Sequence, residues 1–169
     1  MKKLLYSPRI LFFILALFSV IGTAYALYLQ QVLFLLPCNL CILQRIGLWV
    51  MGLFSLLFAL VNPKKNWLKW GLWGLSFIGI LWSFGVAVRH SFMIWFPPDE
   101  IPSCGASLDY LMQTVPALDA LKLVLSSPGN CLDVSWTLFG LSIPEQSLIF
   151  FAGLTLGHLW LAKLIFKKS

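Results

Sequence analysis

Four long apolar segments constrain the fold of this chain more than any other feature. A helix needs about 20 apolar residues to cross the hydrocarbon core of a membrane. Four segments reach that length: residues 10–29, 42–61, 70–88 and 146–165. With 60% hydrophobic and only 11% charged residues, the composition also lies far from that of a soluble domain. We therefore predict an all-α integral membrane protein built as a bundle of four transmembrane helices.

The distribution of charge predicts the orientation of the bundle. Nine of the twelve basic residues lie at the N-terminus, in the turn between the second and third helices, or at the C-terminus, whereas all six acidic residues lie between Asp99 and Glu145. Basic ends of membrane helices face the cytoplasm. The net charge of +6 is then a consequence of topology, and nucleic acid is not an expected partner. The predicted cytoplasmic parts are residues 1–9, 62–69 and 166–169, and the predicted periplasmic loops are residues 30–41 and 89–145.

The first apolar segment has some features of a secretory signal. A basic N-terminus precedes it, and Ala24-Tyr25-Ala26 resembles a cleavage site with small residues. Its apolar run of about 20 residues is, however, longer than the 7–15 residues typical of a signal core. We expect the segment to be retained as the first transmembrane helix.

All four cysteines fall on the predicted outer side of the membrane, where disulfides form and persist. Cys38 and Cys41 form a CxxC pair in the first outer loop, at the start of the second helix. Cys104 and Cys131 lie 27 positions apart in the second outer loop. The distant pair is compatible with a structural disulfide or with a second redox station that serves the CxxC pair.

The surroundings of the CxxC pair indicate redox chemistry. Pro37 suits the opening of a helix, so both sulfurs would lie in the first helical turn, where the helix dipole favours an anion such as a thiolate. Thiolate is the form that attacks disulfides. Arg45 lies four residues after Cys41, on the same helix face, where it could stabilise a thiolate or a bound anion. Snorkelling of Arg45 to the membrane interface is the alternative.

Other uses of a CxxC pair fit less well. A structural zinc site needs four ligands, which the pair reaches only by recruiting Cys104 and Cys131. Covalent haem attachment needs a histidine directly after the pair, and residue 42 is Ile. A purely structural bond between Cys38 and Cys41 would close a very small loop and stabilise little.

The second outer loop contains a helical stripe. Leucine and valine recur every three or four residues from Leu108 to Leu125, and Pro116 interrupts the pattern. We expect a short amphipathic helix there, kinked or divided in two at the proline. It could lie flat on the membrane surface or pack against the bundle.

A thiol pair at the edge of the membrane can meet a lipid-soluble electron acceptor, and a quinone fits that description. Reduction places negative charge on the quinone oxygens, which Arg45 could stabilise. Arg89 and His90, at the outer end of the third helix, offer further donors at a similar depth. A role for His90 as an interfacial cap is an equally good interpretation of the sequence.

Three stretches resemble the disulfide bond formation protein B (DsbB) family. "PCNLCILQR" resembles the family's CxxC signature with its following arginine. "HSFMIWFPPDEIPSC" resembles the passage from the third helix to the first loop cysteine. "GNCLDVSWTLFGLSIPEQ" resembles the segment around the second loop cysteine, with its pattern of Trp136, Gly140, Leu141 and Pro144.

The resemblance implies a protein of the bacterial inner membrane that reoxidises DsbA, a periplasmic thiol oxidase. Cys104 and Cys131 would receive electrons from DsbA and pass them to Cys38 and Cys41, and ubiquinone or menaquinone would accept them. Arg45 matches the family's quinone-site arginine, and His90 matches a residue near the quinone. Gln44 stands where some members have an acidic residue, which concerns local tuning of the site.

Two other functions compete with this interpretation. A thiol reductase that delivers electrons outward would need a cysteine on the cytoplasmic side or within the membrane, and the sequence has none there. A membrane scaffold with structural disulfides would tolerate Cys38→Ser and would bind no quinone.

Overall fold

The computed structural model describes residues 7–35, 37–96, 108–126, 136–138 and 140–167. Within them, four helices are long and apolar enough to cross a membrane, which confirms the predicted all-α membrane fold. The elements in chain order are α1 (Pro8–Gln31), α2 (Asn39–Val61), α3 (Asn66–Trp95), α4 (Leu108–Thr114), α5 (Ala117–Ser126), β1 (Thr137–Leu138), β2 (Leu141–Ser142) and α6 (Ile143–Lys167).

Particular residues mark where the long helices begin and end. α1 starts with a proline in its first turn, where the missing N–H donor is not needed. α2 ends at Asn62, whose backbone is left-handed (φ 44°, ψ 62°) and whose N–H bonds to Phe58 O. Asparagine tolerates this conformation better than most residues. Pro63 follows, so a four-residue connection reverses the chain into α3.

Small residues bring α2 and α3 into close contact. A Cβ atom added at Gly79 would lie 2.7 Å from Met51 N and 2.8 Å from Gly47 O. One added at Gly47 would lie 2.6 Å from Gly79 O. Membrane helices associate through such small-residue contacts because lipid supplies no hydrophobic force between them. The contact fixes the depth of α2 against α3, and with it the position of the CxxC pair.

The half of the bundle farther from the CxxC pair combines aromatic packing with a buried network of polar side chains. The rings of Phe12 and Phe58 stack at 3.9 Å between centroids. Ser55 Oγ lies 2.8 Å from Ser76 Oγ, which lies 2.9 Å from His158 Nε2. All three polar residues are completely buried. These hydrogen bonds join α2, α3 and α6, and they satisfy polar side chains that would be costly to leave unpaired in lipid.

The apolar stripe from Leu108 to Leu125 forms two short helices, α4 and α5, separated at Val115 and Pro116. Two residues on the inner face of α5, Ala120 and Val124, are buried. Val124 belongs to the same apolar cluster as Leu40 and Val86 of the bundle. α5 therefore packs on the bundle rather than flat on a membrane surface. Cys104 and Cys131, which precede and follow the two helices in the chain, lie outside the described residues.

A short hairpin leads into the last helix. β1 and β2 pair antiparallel, with Thr137 opposite Ser142, and Gly140 between them has the positive φ of 79° that glycine tolerates. At the start of α6, Glu145 Oε2 accepts bonds from Ser142 N (2.8 Å) and Ser142 Oγ (2.7 Å). Its other oxygen accepts from Trp95 Nε1 at 3.1 Å. Glu145 thus ties the first turn of α6 to the end of α3.

Candidate functional site

Cys38 is the N-cap of α2. Its backbone is extended (φ −70°, ψ 163°), and its Sγ accepts a bond from Cys41 N at 3.3 Å. The sulfur therefore takes the place of the side-chain oxygen that usually satisfies a free N–H group at this position. Cys41 follows in the first turn, so the positive end of the helix dipole lies at both sulfurs, as the sequence suggested.

The two sulfurs lie close together and beside an imidazole. Cys38 Sγ donates to Cys41 Sγ at 2.8 Å. A disulfide bond is ~2.05 Å long, so closure needs an approach of roughly 0.8 Å. His90 Nε2, on α3, lies 3.9 Å from Cys38 Sγ, and the imidazole is 2% exposed. A buried imidazole at this distance can exchange protons with the pair as it opens and closes.

Arg45 lies one turn below Cys41 and is held by α1. Its Nη1 donates to Gln30 Oε1 at 2.9 Å, and its Nη2 donates to Ala26 O at 3.2 Å. A snorkelling arginine would direct its head group into the aqueous interface. The half-buried Arg45 instead bonds to protein groups on a neighbouring helix. Residues of α1 are therefore part of this site.

A cavity of about 310 Å³ opens beside Cys41, between α1, α2 and α6. Apolar side chains form most of its wall, and Ile21, which is 51% exposed, marks where it reaches the lipid-facing surface. Ligand sites of about 300 Å³ and more, with a few placed polar groups, are typical of small organic molecules. The polar and sulfur-bearing lining residues are Tyr25, Cys41, Gln44, Arg45, Gln146 and Ser147.

Two polar contacts at this cavity are notable. Gln44 is 5% exposed, and its Nε2 has no hydrogen-bond partner among the described residues. A buried donor without a partner costs about 1–3 kcal/mol. Tyr25 OH donates to Gln146 Oε1 at 2.9 Å and thereby joins α1 to α6. The cavity therefore has a buried amide donor on one wall, from Gln44, and a hydrogen bond between α1 and α6 on another.

The structure brings four of the six predicted site residues together. They share one end of the packed pair α2 and α3: Cys38, Cys41, Arg45 and His90. The described cavity lining includes Cys41 and Arg45 but not His90, which lies next to Cys38 instead. The expected contact of His90 with a quinone stays a prediction, and so do the roles of Cys104 and Cys131.

Three residues at the site were not predicted from the sequence as functional residues: Tyr25, Gln30 and Gln146. Each lies near the end of a spanning helix that is closest to the CxxC pair, where polar residues also occur simply as interfacial anchors. A polar side chain within an apolar span is itself a functional signal. What the sequence cannot give is the pairing of these residues across helices, because that depends on helix rotation and depth.

Fold and site together define an integral membrane protein of thiol–disulfide exchange, in which one cysteine of the CxxC pair, Cys41, lines an apolar cavity. The sequence model of disulfide bond formation protein DsbB matches residues 8–161. The chain belongs to the DsbB family. It is accordingly a multi-pass protein of the inner membrane and an oxidoreductase of disulfide bond formation.

Known proteins resemble this chain along nearly its whole length. A disulfide bond formation protein B of Psychrobacter sp. (strain PRwf-1) is 48% identical over 160 residues, which cover 94% of this chain and 93% of the relative. The protein of that name from Acinetobacter baumannii is 44% identical, covering 91% and 90%. That from Stutzerimonas stutzeri is 38% identical, covering 92% and 95%.

Proposed function

We propose that this protein oxidises a DsbA-like periplasmic thiol oxidase and passes the electrons through two cysteine pairs to a membrane quinone. The observation that carries this proposal is the position of Cys41, which lies both 2.8 Å from Cys38 Sγ and in the wall of a lipid-facing cavity. One residue of the pair thus meets the acceptor while the other meets the loop that carries the second pair.

The loop side of the route is supported by the packing of α5. Cys38 packs against the same buried cluster as Leu121 and Leu125 of this helix. Cys131 is six residues beyond Leu125, and an extended chain of that length spans at most about 21 Å. A loop cysteine can therefore reach Cys38, exchange with it through a mixed disulfide, and leave the electrons on the pair.

The cavity residues fit a quinone head group. The volume of about 310 Å³ suits a substituted ring, and the apolar wall suits its substituents and tail. Arg45 is a charged donor, and rotation of the Gln44 amide would supply a second donor to a carbonyl oxygen. Ubiquinone and menaquinone both match this chemistry. A bound quinone supplies an acceptor for two electrons and two protons.

The residues of the pair then have distinct roles. Cys38 takes part in exchange with the loop pair, and Cys41 transfers electrons at the cavity as the disulfide between them re-forms. His90, 3.9 Å from Cys38 Sγ, accepts or returns a thiol proton during these steps. Arg45 stabilises the negative charge that develops on the acceptor's oxygen. Oxidation of two thiols releases two electrons and two protons, which balances reduction of one quinone to one quinol.

The orientation of the protein is part of the proposal. Both termini and the α2–α3 turn face the cytoplasm, and the cysteine pairs face the periplasm. The positive-inside rule supports this orientation, since Arg9, Lys64, Lys65 and Lys69 lie at the bundle end opposite the CxxC pair.

The test is an anaerobic assay with purified protein, a reduced periplasmic dithiol protein and a short-chain quinone. We expect the amount of quinone reduced to match the amount of donor thiol oxidised. Variants with Cys→Ser at Cys38, Cys41, Cys104 or Cys131 should reduce no quinone. Lys122→Gln, an exposed change on α5, serves as the control and should retain full activity. Quinone reduction that persists with all four cysteines replaced would defeat the proposal.

A further inference from the structure

Cys38, Cys41 and His90 bring three metal-ligating atoms together. The two sulfurs and one ring nitrogen all lie within 4.8 Å of one another. The sulfurs are 2.8 Å apart, and Cys38 Sγ is 3.9 Å from His90 Nε2. Redox exchange between two cysteines does not itself require a third ligand atom at this distance, so the arrangement raises the question of whether the site also binds a metal ion.

The separations are close to those of a tetrahedral zinc site. Zn–S bonds of ~2.3 Å and Zn–N bonds of ~2.0–2.1 Å place two sulfurs about 3.7 Å apart, and a sulfur and a nitrogen about 3.5 Å apart. The distance between the Cys38 and Cys41 sulfurs would therefore increase by about 1 Å. His90 Nε2 would move a few tenths of an ångström toward Cys38 Sγ, and the Cys41 sulfur lies within 4.8 Å of the ligating ring nitrogen. Side-chain rotations of this size leave the helices in place.

The ligand set also suits zinc chemically. Two thiolates and one imidazole are the soft and borderline donors that Zn²⁺ prefers, and two thiolates neutralise its charge. The half-buried cysteines lie on the first turn of α2, and the buried His90 lies on α3, so two packed helices hold the ligands. Three protein ligands leave one coordination position for water or for a further thiolate.

We propose that the reduced CxxC pair binds one Zn²⁺ ion through Cys38, Cys41 and His90. Binding releases the two thiol protons and involves no electron transfer. The disulfide form of the pair offers no thiolate, so the site exists only in the reduced protein. From the sequence alone, a structural zinc site would have needed Cys104 and Cys131 as further ligands. The structure instead offers His90 as the third ligand.

Metal binding would make the pair a redox-dependent inhibitory site. With both sulfurs bound to zinc, neither is available for exchange with the loop pair or for transfer at the cavity. Zinc binding does not depend on the proposed function, whereas the inhibition rests on that function. An excess of thiophilic metal in the periplasm would then stop oxidation of partner proteins until the metal is removed.

Binding is measured with the purified full chain carrying Cys104→Ser and Cys131→Ser, so that only the CxxC thiols remain. The reduced protein is titrated anaerobically with Co²⁺ and then Zn²⁺. We expect thiolate-to-cobalt charge-transfer absorption that saturates at one ion per chain and disappears as zinc displaces cobalt. The same protein with its disulfide closed should give no such absorption.

Variants assign the ligands. His90→Gln should weaken zinc binding by more than about 100-fold, the upper end of the effect of losing an outer-shell partner. His158→Gln replaces the chain's other histidine and should leave zinc binding unchanged. Thermal unfolding confirms that each variant is folded. Absence of cobalt–thiolate absorption in the reduced protein, or equally tight binding by folded His90→Gln, would overturn the proposed site.

Inhibition is measured separately on the wild-type chain. Zinc should stop quinone reduction, and a chelator should restore it. If zinc binds but the metal-free chain reduces no quinone, the proposed function fails and the metal site stands. If the metal-free chain reduces quinone but no zinc binds, the metal site fails and the function stands.

Discussion

At the scale of single residues, the two cysteines of the CxxC pair have different surroundings. Cys41 lies in the wall of the lipid-facing cavity, beside Arg45. Cys38 caps α2, packs against the cluster under α5, and lies 3.9 Å from His90. A spacing of three residues on the first helical turn is enough to place two sulfurs in contact while directing them toward different partners.

Arg45 offers a direct test of the cavity as the acceptor site. Arg45→Gln removes a charged donor worth about 1.5–3 kcal/mol, so the KM for a short-chain quinone should rise about 10- to 100-fold. The KM for the dithiol protein should not change. Arg9→Gln is the matched control, because Arg9 also donates to a carbonyl of a neighbouring helix, Ala59 O at 2.9 Å, at the other end of the bundle. An equal effect of both substitutions would contradict the assignment.

Gln44 tests whether the cavity holds a spare donor for the quinone. Gln44→Leu removes a buried amide nitrogen that has no partner among the described residues, so the melting temperature should stay the same or rise. The KM for quinone should nevertheless increase several-fold, since a neutral hydrogen bond contributes about 1 kcal/mol. Differential scanning fluorimetry and steady-state kinetics measure the two effects. A lower melting temperature with unchanged kinetics would show that Gln44 has a structural role only.

At the scale of elements, the position of the site depends on how closely α2 approaches α3. Gly47 and Gly79 allow the two backbones to touch, and Ser83 Oγ donates to Gln44 O at 2.8 Å across the same interface. These contacts hold Cys38 and Cys41, at the start of α2, level with His90 near the end of α3. The cysteine–histidine geometry is thus a product of packing some three turns away.

Gly79→Ala should disturb this geometry. The new Cβ would meet Met51 N at 2.7 Å and Gly47 O at 2.8 Å, and such overpacking costs about 1–3 kcal/mol. We expect a lower melting temperature together with a lower kcat. Gly74→Ala is the control on the same helix, because nothing lies within 4 Å of its added Cβ. That change should leave stability unchanged or raise it by up to about 1 kcal/mol. Similar losses for both variants would contradict the packing argument.

The elements show what the sequence could and could not predict. The apolar runs predicted four spanning helices because length and hydropathy alone decide whether a helix can cross a membrane. The stripe from Leu108 to Leu125 predicted helix but left its partner open, since the same face can pack on lipid or on protein. Only the structure places α5 over Cys38. Likewise, the sequence placed Arg45 one turn from Cys41, but its bonds to Gln30 and Ala26 depend on how α1 is rotated.

At the scale of the whole molecule, the bundle has a basic end and a redox end. The α2–α3 turn and the start of α1 carry the basic residues, and the CxxC pair, His90 and the cavity lie at the opposite end. In the proposed function, this polarity lets one small chain connect an aqueous partner on one side of the membrane with a carrier inside the lipid. It also makes the orientation measurable.

Two exposed aromatic residues provide matched positions for that measurement. Phe34 and Trp67 are 84% and 83% exposed and lie at opposite ends of the bundle. In a chain with all four native cysteines changed to serine, Phe34→Cys should react with a membrane-impermeant maleimide in spheroplasts. Trp67→Cys should react only after the membrane is permeabilised. The reverse pattern would contradict the proposed orientation.

In the proposed function, electrons leave the protein at the cavity between α1, α2 and α6, beside Cys41. A photoreactive short-chain quinone, bound to the purified protein, illuminated and mapped by mass spectrometry, tests it most directly. We expect labelling of residues from the cavity wall, such as Tyr25, Leu48 and Phe150. Excess unlabelled quinone should prevent this labelling, and Arg45→Gln should reduce it. Competable labelling confined to α3, or to the basic end of the bundle, would contradict it.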